Sequence, residues 1–343
     1  MTRGSTSMAD ARRAAPPPDI AFGWTDLILC LKMRRRITPV TGLLLAFTVA
    51  GCSAGGTDDA DGGGLRVVAT TTQVGSIAEE VGGDAIELTV LLHPGVEAHD
   101  YEMTPANAAA VEDAALILRS GAGLEAWLDD ALRTIGTDAV IVDLSEGVTL
   151  REVGEGEPGD EGDQHVDPHY WLSGPNTIQM VRNATAALDE ASPSDAAAFD
   201  ERAASLIGRL ETADAEIRNL VAEIPEDRRG IVTNHDALGY FIDEYGLRFV
   251  GSIFPNLDVS AEPSPRDLAE LIETIQREGV VAIFSESAVN PELAQTVAAE
   301  TGAQFVDEPL YTDSLGPPGS GADTLDGMLL HDAQVIHDAL AEG

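Results

Sequence analysis

The chain is 343 residues long, with 20 basic against 59 acidic side chains and a formal charge of −39. So negative a surface excludes nucleic acid and anionic membrane as partners and suits a soluble, cation-attracting protein. An apolar fraction of 44% over this length is enough for two medium domains, each with its own core.

The N-terminus reads as an address rather than as fold. Met33-Arg34-Arg35-Arg36 is a basic stretch, residues 43–49 (LLLAFTV) form a short apolar run, and Val49-Ala50-Gly51-Cys52 closes it with small residues. The run falls short of the roughly 20 apolar residues that span a bilayer, so 33–51 is expected to be a secretory signal peptide. A Cys directly after such a site resembles the bacterial lipobox, and that resemblance implies lipidation of Cys52 as the mature N-terminus. An ordinary signal peptide with an incidental Cys is the alternative. Residues 1–32 then precede the true start at Met33, and 52–64, rich in Gly, Asp and Ala, make a flexible tether. With Cys30 removed and Cys52 modified, no thiol remains for a disulfide, a thiolate metal site or a nucleophile.

From Leu65 onward the pattern alternates. Apolar, β-branched runs predict strands at 65–70, 86–92, 115–120 and 139–144, separated by helices around 76–81, 104–114 and 124–135. Continuous apolar strands between helices indicate a parallel sheet covered on both faces. An acidic, Gly-rich loop over 151–164 leads into VDPHYWL and a helix from about Asn176 to Ala187. Beyond residue 224 the rhythm restarts, with strands at 230–234, 247–253, 280–286 and 303–308 and helices at 236–245, 264–279, after Asn290, and at 324–340.

Between the halves runs SPSDAAAFDERAASLIGRLETADAEIRNLVAEI, residues 192–224. Ser192 suits an N-cap, Pro193 the first helical position, and Pro225 a stop. Phe199, Ala203, Leu206, Leu210, Ala213, Ile217, Leu220 and Ile224 step by fours and threes, drawing one apolar stripe. A helix of that length spans roughly 45–50 Å, more than a small domain is wide. It is expected to be a spine bridging two lobes; a core helix of one large domain, and last a coiled coil, are the alternatives. The fold class is therefore α/β, two lobes each with a parallel four-stranded sheet flanked by helices, at 65–191 and 226–343, joined by one long helix at 192–225.

All seven histidines lie beyond the signal segment: His93, His99, His165, His169, His235, His331 and His337. His99 follows the strand at 86–92, His169 enters a helix, and His235 directly follows the strand at 230–234. Ligands of open α/β sheets collect beyond the carboxyl ends of the strands. Three imidazoles so placed, two before the spine and one after it, can converge across a cleft, and Asp313, after the last strand, would complete the set.

The motifs HPGVEAHDYEMTP, DPHYWLSGPN, TNHDALGYF and LYTDSLGPPGSGADTLDGML, with EPSPRDLAELIETIQREGVVAIFSES, resemble the metal-binding solute receptors of bacterial ABC importers for zinc and manganese. The resemblance runs from Leu65 to the C-terminus. It implies a metal held by His99, His169, His235 and Asp313 between two lobes joined by a rigid helix, an ABC permease as membrane partner, and a lipid-anchored monomer on the extracytoplasmic face. Three neutral imidazoles and one carboxylate leave a charge of about +1 around a divalent ion, and tetrahedral nitrogen and oxygen ligation suits Zn²⁺. Bidentate binding by Asp313 would admit Mn²⁺. In this family a Glu in place of the third His goes with manganese, so His235 favours zinc.

The remaining candidates carry weaker expectations. Pro168 breaks the helical spacing of His165 and His169, so those two are not a metal pair. Glu97 shares a loop with His99, Asn234 and Asp236 flank His235 as orienting partners, Glu286 ends a strand near the cleft, and His93, His331 and His337 read as structural. Rival functions are a zinc hydrolase and an adhesin-like lipoprotein with a structural metal. Against the hydrolase, a fourth ligand closes the site and no HExxH is present, so no enzyme activity is expected.

Overall fold

The first sheet is built around its first strand. In a computed structural model that describes residues 64–99, 101–152, 166–254, 257 and 262–341, β1 (Leu65–Ala69) lies between β2 (Ile86–Val90) and β3 (Leu116–Arg119). β4 (Val140–Asp143) closes the far edge, and every pairing is parallel. Helix α1 (Thr72–Gly82) connects β1 to β2 on one face, while α2 (Pro105–Asp113) and α3 (Ala126–Ile135) return on the other. The strand order β2-β1-β3-β4 reverses direction between β1 and β3, the position where open α/β sheets bind ligands.

Helix α4 (Gly174–Ala191) leads directly to the long helix α5 (Ala196–Glu223). The expected N-cap at Ser192 is three residues early. Helix α4 continues through Ala191, so 192–195 are needed to reverse the chain; Ser192 N–H closes α4 on Leu188 O, and Ser192 Oγ bonds Asp195, the actual N-cap. The buried stripe is Phe199, Ala203, Leu206, Leu210, Ala213, Ile217 and Val221, with Val221 in place of the expected Leu220. At 1.5 Å per residue α5 is about 42 Å long.

The second half repeats the winding with β5 (Gly230–Thr233), α6 (Gly239–Tyr245), β6 (Arg248–Ser252), α7 (Pro265–Glu278), β7 (Ala282–Glu286), α8 (Glu292–Thr301) and β8 (Gln304–Leu310). The four parallel strands form two hydrogen-bonded pairs, β5–β6 and β7–β8, with β5 packed beside β7, rather than one continuous four-stranded ladder. Register shifts interrupt the β5–β6 pairing after Ile231 and the β7–β8 pairing after Phe284. The C-terminal helix α9 (Leu325–Ala341) lies along α5 and touches α1. The spine is thus not a bare strut: α4, α1 and α9 pack against it, and one apolar core runs from Val67 through Leu210 to Ile336. A smaller core under α7 and α8 contains Val232, Ile275 and Ile283. All described residues belong to one compact unit, and no helix among them is long and apolar enough to cross a membrane. The signal segment, Cys52 and residues 153–165, which hold most of the acidic loop and His165, lie outside the described residues.

Candidate metal centre

Each of the four expected donors hangs from a different strand end. His99 follows β2, His169 follows β4 by way of the acidic insertion, His235 lies two residues past β5, and Asp313 three past β8. The structure brings them together: one donor atom from each lies within 4.8 Å of all the others. His169, His235 and Asp313 are 0%, 1% and 2% exposed, and the His99 side chain 5%. His99 Nε2 lies 3.2 Å from His169 Nε2, His169 Nε2 3.2 Å from Asp313 Oδ1, and His235 Nε2 3.3 Å from Asp313 Oδ2. A regular tetrahedron with metal–ligand bonds of 2.0–2.1 Å has edges of about 3.3 Å. Among the described residues His235 Nε2 and Asp313 Oδ1 have no hydrogen-bond partner, although both are buried. Buried polar atoms left in this state call for an ion or water.

A carboxylate stands behind two of the rings. His169 Nδ1 lies 2.7 Å from Asp167 Oδ1, which also accepts the His169 backbone N–H at 3.0 Å. Glu286, at the end of β7, accepts the His235 backbone N–H at 2.9 Å through Oε1 and places Oε2 2.7 Å from Nδ1. The orienting partners are therefore Asp167 and Glu286 rather than Asn234 and Asp236. The Asn234 amide donates instead to Asn290 O, and Asp236 faces Asp167 and Arg151 electrostatically with its carboxyl pushed up by burial. Asp167 was detectable in sequence, since an Asp two residues before a His can turn back onto its backbone N–H. For Glu286 the sequence shows a strand end near the cleft but not its partner, because it lies 51 positions from His235 and only the β5–β7 juxtaposition joins them.

Charge in the centre follows from these neighbours. Burial disfavours the charged form of His169, but Asp167 and Asp313 outweigh it and push the ring up to about 9. Burial opposes charge on His235 too, and Glu286 and Asp313 prevail, raising it well above the ordinary range. Asp313, which burial alone would raise, is held well below the usual carboxylate range by His235 and His169.

The two halves meet around these donors. Thr312 O accepts from Trp171 Nε1 at 2.8 Å and Gln73 Nε2 at 3.2 Å, Leu315 N–H donates to Thr72 Oγ1, and Gly95 N–H to Ser314 Oγ. On the opposite side Arg151 reaches both Asp167 Oδ2 (3.3 Å) and Asp243 Oδ2 (3.0 Å) in α6. Gly239 opens α6 here because an added Cβ would sit 2.7 Å from Asp167 Oδ2. Glu97 accepts the His99 backbone N–H and comes no nearer than 4.0 Å to Nε2 of that ring. His93 is exposed, the His331 ring bonds Pro309 O, and His337 lies against Glu223 and Asp338.

The chain is similar in sequence and fold to known metal-binding proteins. The manganese-binding lipoprotein MntA of Bacillus subtilis (strain 168) is 32% identical over 305 residues, covering 87% of this chain and 97% of that protein. The iron-binding protein YfeA of Yersinia pestis is 30% identical over 251 residues, 73% of this chain and 78% of that protein. Among solved structures, the periplasmic zinc binding protein TroA from Treponema pallidum superposes with a TM-score of 0.74 at 26% identity, covering 82% of this chain and all (100%) of TroA. Residues 67–339 match the zinc-uptake complex component A, periplasmic, family (ZnuA), and the chain belongs to that family of metal-binding receptors.

Proposed function

We propose that the protein is a lipid-anchored, extracytoplasmic receptor that captures Zn²⁺ and delivers it to an ABC permease, with His99, His169, His235 and Asp313 as the ligands. In this reading 65–191 and 226–343 are the two lobes, 192–225 the linking helix, and Cys52 the lipid attachment of a monomer. The observation that carries it is the convergence of four donor atoms from four strand ends, buried and within 4.8 Å. Zinc is the favoured cargo because three imidazole nitrogens and one carboxylate suit tetrahedral nitrogen and oxygen ligation, with His235 rather than a Glu as the third donor. Mn²⁺ is the alternative cargo, since both Asp313 oxygens face the centre, one toward His169 and one toward His235. The relatives' names include both of these metals, and iron as well. The protein carries cargo rather than catalysing a reaction: three imidazoles and a carboxylate fill a tetrahedral shell and leave no open position for substrate.

Metal analysis and titration calorimetry test this. One Zn²⁺ per chain is expected, with affinity falling more than about 100-fold in His235→Ala and Asp313→Ala, beyond the loss usual for an outer partner. Stoichiometric binding of no divalent ion would overturn the receptor reading, and displacement of bound Zn²⁺ by modest excess Mn²⁺ would overturn the choice of zinc.

A further inference from the structure

We infer that Glu286 is the positioning residue for both donors of the second half, holding His235 and the Asp313 loop in place without itself touching the ion. The inference rests on the receptor reading above. The Glu286 side chain is fully buried (0%), and among the described residues its only ion-pair partner is His235. One oxygen accepts the His235 backbone N–H; the other faces His235 Nδ1 and accepts the Thr312 hydroxyl at 2.7 Å. Thr312 immediately precedes Asp313, and its carbonyl is the one gripped by Trp171 and Gln73 of the first half. A single carboxylate at the tip of β7 thus fixes an imidazole ligand, the strand exit carrying the carboxylate ligand, and the strap that ties this exit to the other half.

The chemistry follows from the ring. A carboxylate beside Nδ1 favours the tautomer with hydrogen on Nδ1, which leaves the Nε2 lone pair directed into the centre. The Nδ1 contact is off the line of a good hydrogen bond, so its influence is chiefly that of a nearby negative charge. That charge also separates the two halves of the centre. Asp167, the counterpart behind His169, shares its charge with Arg151, whereas Glu286 has no cationic side chain other than His235 beside it among the described residues. Glu286 therefore adds an unshared negative charge behind the ion, and substituting it by an isosteric amide removes charge and tautomer control together.

Glu286→Gln and Thr312→Val test the inference in the purified protein, by competitive Zn²⁺ titration and by the visible spectrum of the Co²⁺-loaded form. Glu286→Gln is expected to weaken Zn²⁺ about 10–100-fold, the usual effect of an outer partner, while the Co²⁺ bands keep the intensity of an unchanged ligand count. Thr312→Val is expected to weaken Zn²⁺ roughly tenfold, the low end of the same scale. Zn²⁺ affinity within twofold of wild type in Glu286→Gln would overturn the inference, as would Co²⁺ bands showing a lost ligand, which would make Glu286 part of the coordination sphere. If Glu286→Gln does not fold, Thr312→Val decides, and wild-type affinity in that variant overturns the inference. Wild-type protein that binds no divalent ion would instead overturn the receptor reading, so the two failures are distinguishable.

Discussion

Glu125 shows how much a single buried side chain can hold outside the metal centre. It is 3% exposed and binds the loop after β3, accepting Ser120 N–H and the Thr70 hydroxyl through Oε1 and Gly121 N–H through Oε2. That loop carries Gly121, Ala122 and Gly123 all at positive φ, an arrangement unfavourable for Ala122 and stabilised by this grip. Burial raises the Glu125 carboxyl above its ordinary value despite those three donors. A raised acid favours the folded state when protonated, so its contribution is fully present below the unfolded value near 4.5 and is lost as pH rises through the folded value. Glu125→Gln is expected to carry a constant offset from the amide facing Gly121 N–H, but no titration. Its stability relative to wild type should improve between pH 5 and pH 8 in denaturant unfolding of the metal-free proteins; parallel profiles would show that Glu125 ionises alike folded and unfolded. At this scale the sequence was readable where a residue's role is set by its own strand end. His99, His169, His235 and Asp313 could be placed so, whereas Glu286 and Glu125 act on distant backbone that only the assembled sheets bring near.

The element that repays closest inspection is α5. Its stripe was readable because a buried helical face imposes its period on the sequence, and seven of its apolar residues are buried as that period requires. Its start was not readable, because Ser192 and Pro193 satisfy the rules for a helix N-terminus while serving as the turn out of α4. Gly208 lies on the exposed side, and an added Cβ there meets nothing within 4 Å. Gly208→Ala is expected to stabilise the protein by about 0.5–1 kcal/mol, the propensity difference within a helix. A denaturation midpoint unchanged or lowered by the substitution would mean that α5 needs the glycine for a local bend. The paired strands of the second half were legible as strands but not as two pairs, since an apolar run shows that a strand is buried and not which neighbour it bonds to.

Across the whole molecule, Arg151 is the cation that bridges the halves behind His169. It joins Asp167, fully buried, to Asp243 on α6, while Tyr240 Oη accepts Arg151 N–H and donates to Asp167 O. Removing one member of a fully buried pair costs about 3–5 kcal/mol. The Arg151 side chain is 29% exposed, which allows water to replace part of the interaction. Arg151→Ala is therefore expected to lower stability by roughly 1–3 kcal/mol, with Arg151→Lys recovering less than half because a point charge cannot serve both carboxylates. Chemical denaturation of the three proteins measures this, and equal stability of Arg151→Ala and wild type would show that Asp167 needs no cation. The two-half plan was visible in the repeated strand–helix rhythm, but the shared core along α5 and α9 was not, since periodicity reveals that a face is buried and not which partner buries it.

Glu152 and Val166 pair as an antiparallel bridge, and Asp167 N–H donates to Arg151 O at 2.8 Å. The chain thus leaves and re-enters the body of the protein through a closed stem one residue before Asp167. The candidate ligand His169 lies three residues beyond that stem and takes its position from it. A change in the length or composition of the sequence between Glu152 and Val166 is therefore expected to leave the separations of the four donors unchanged.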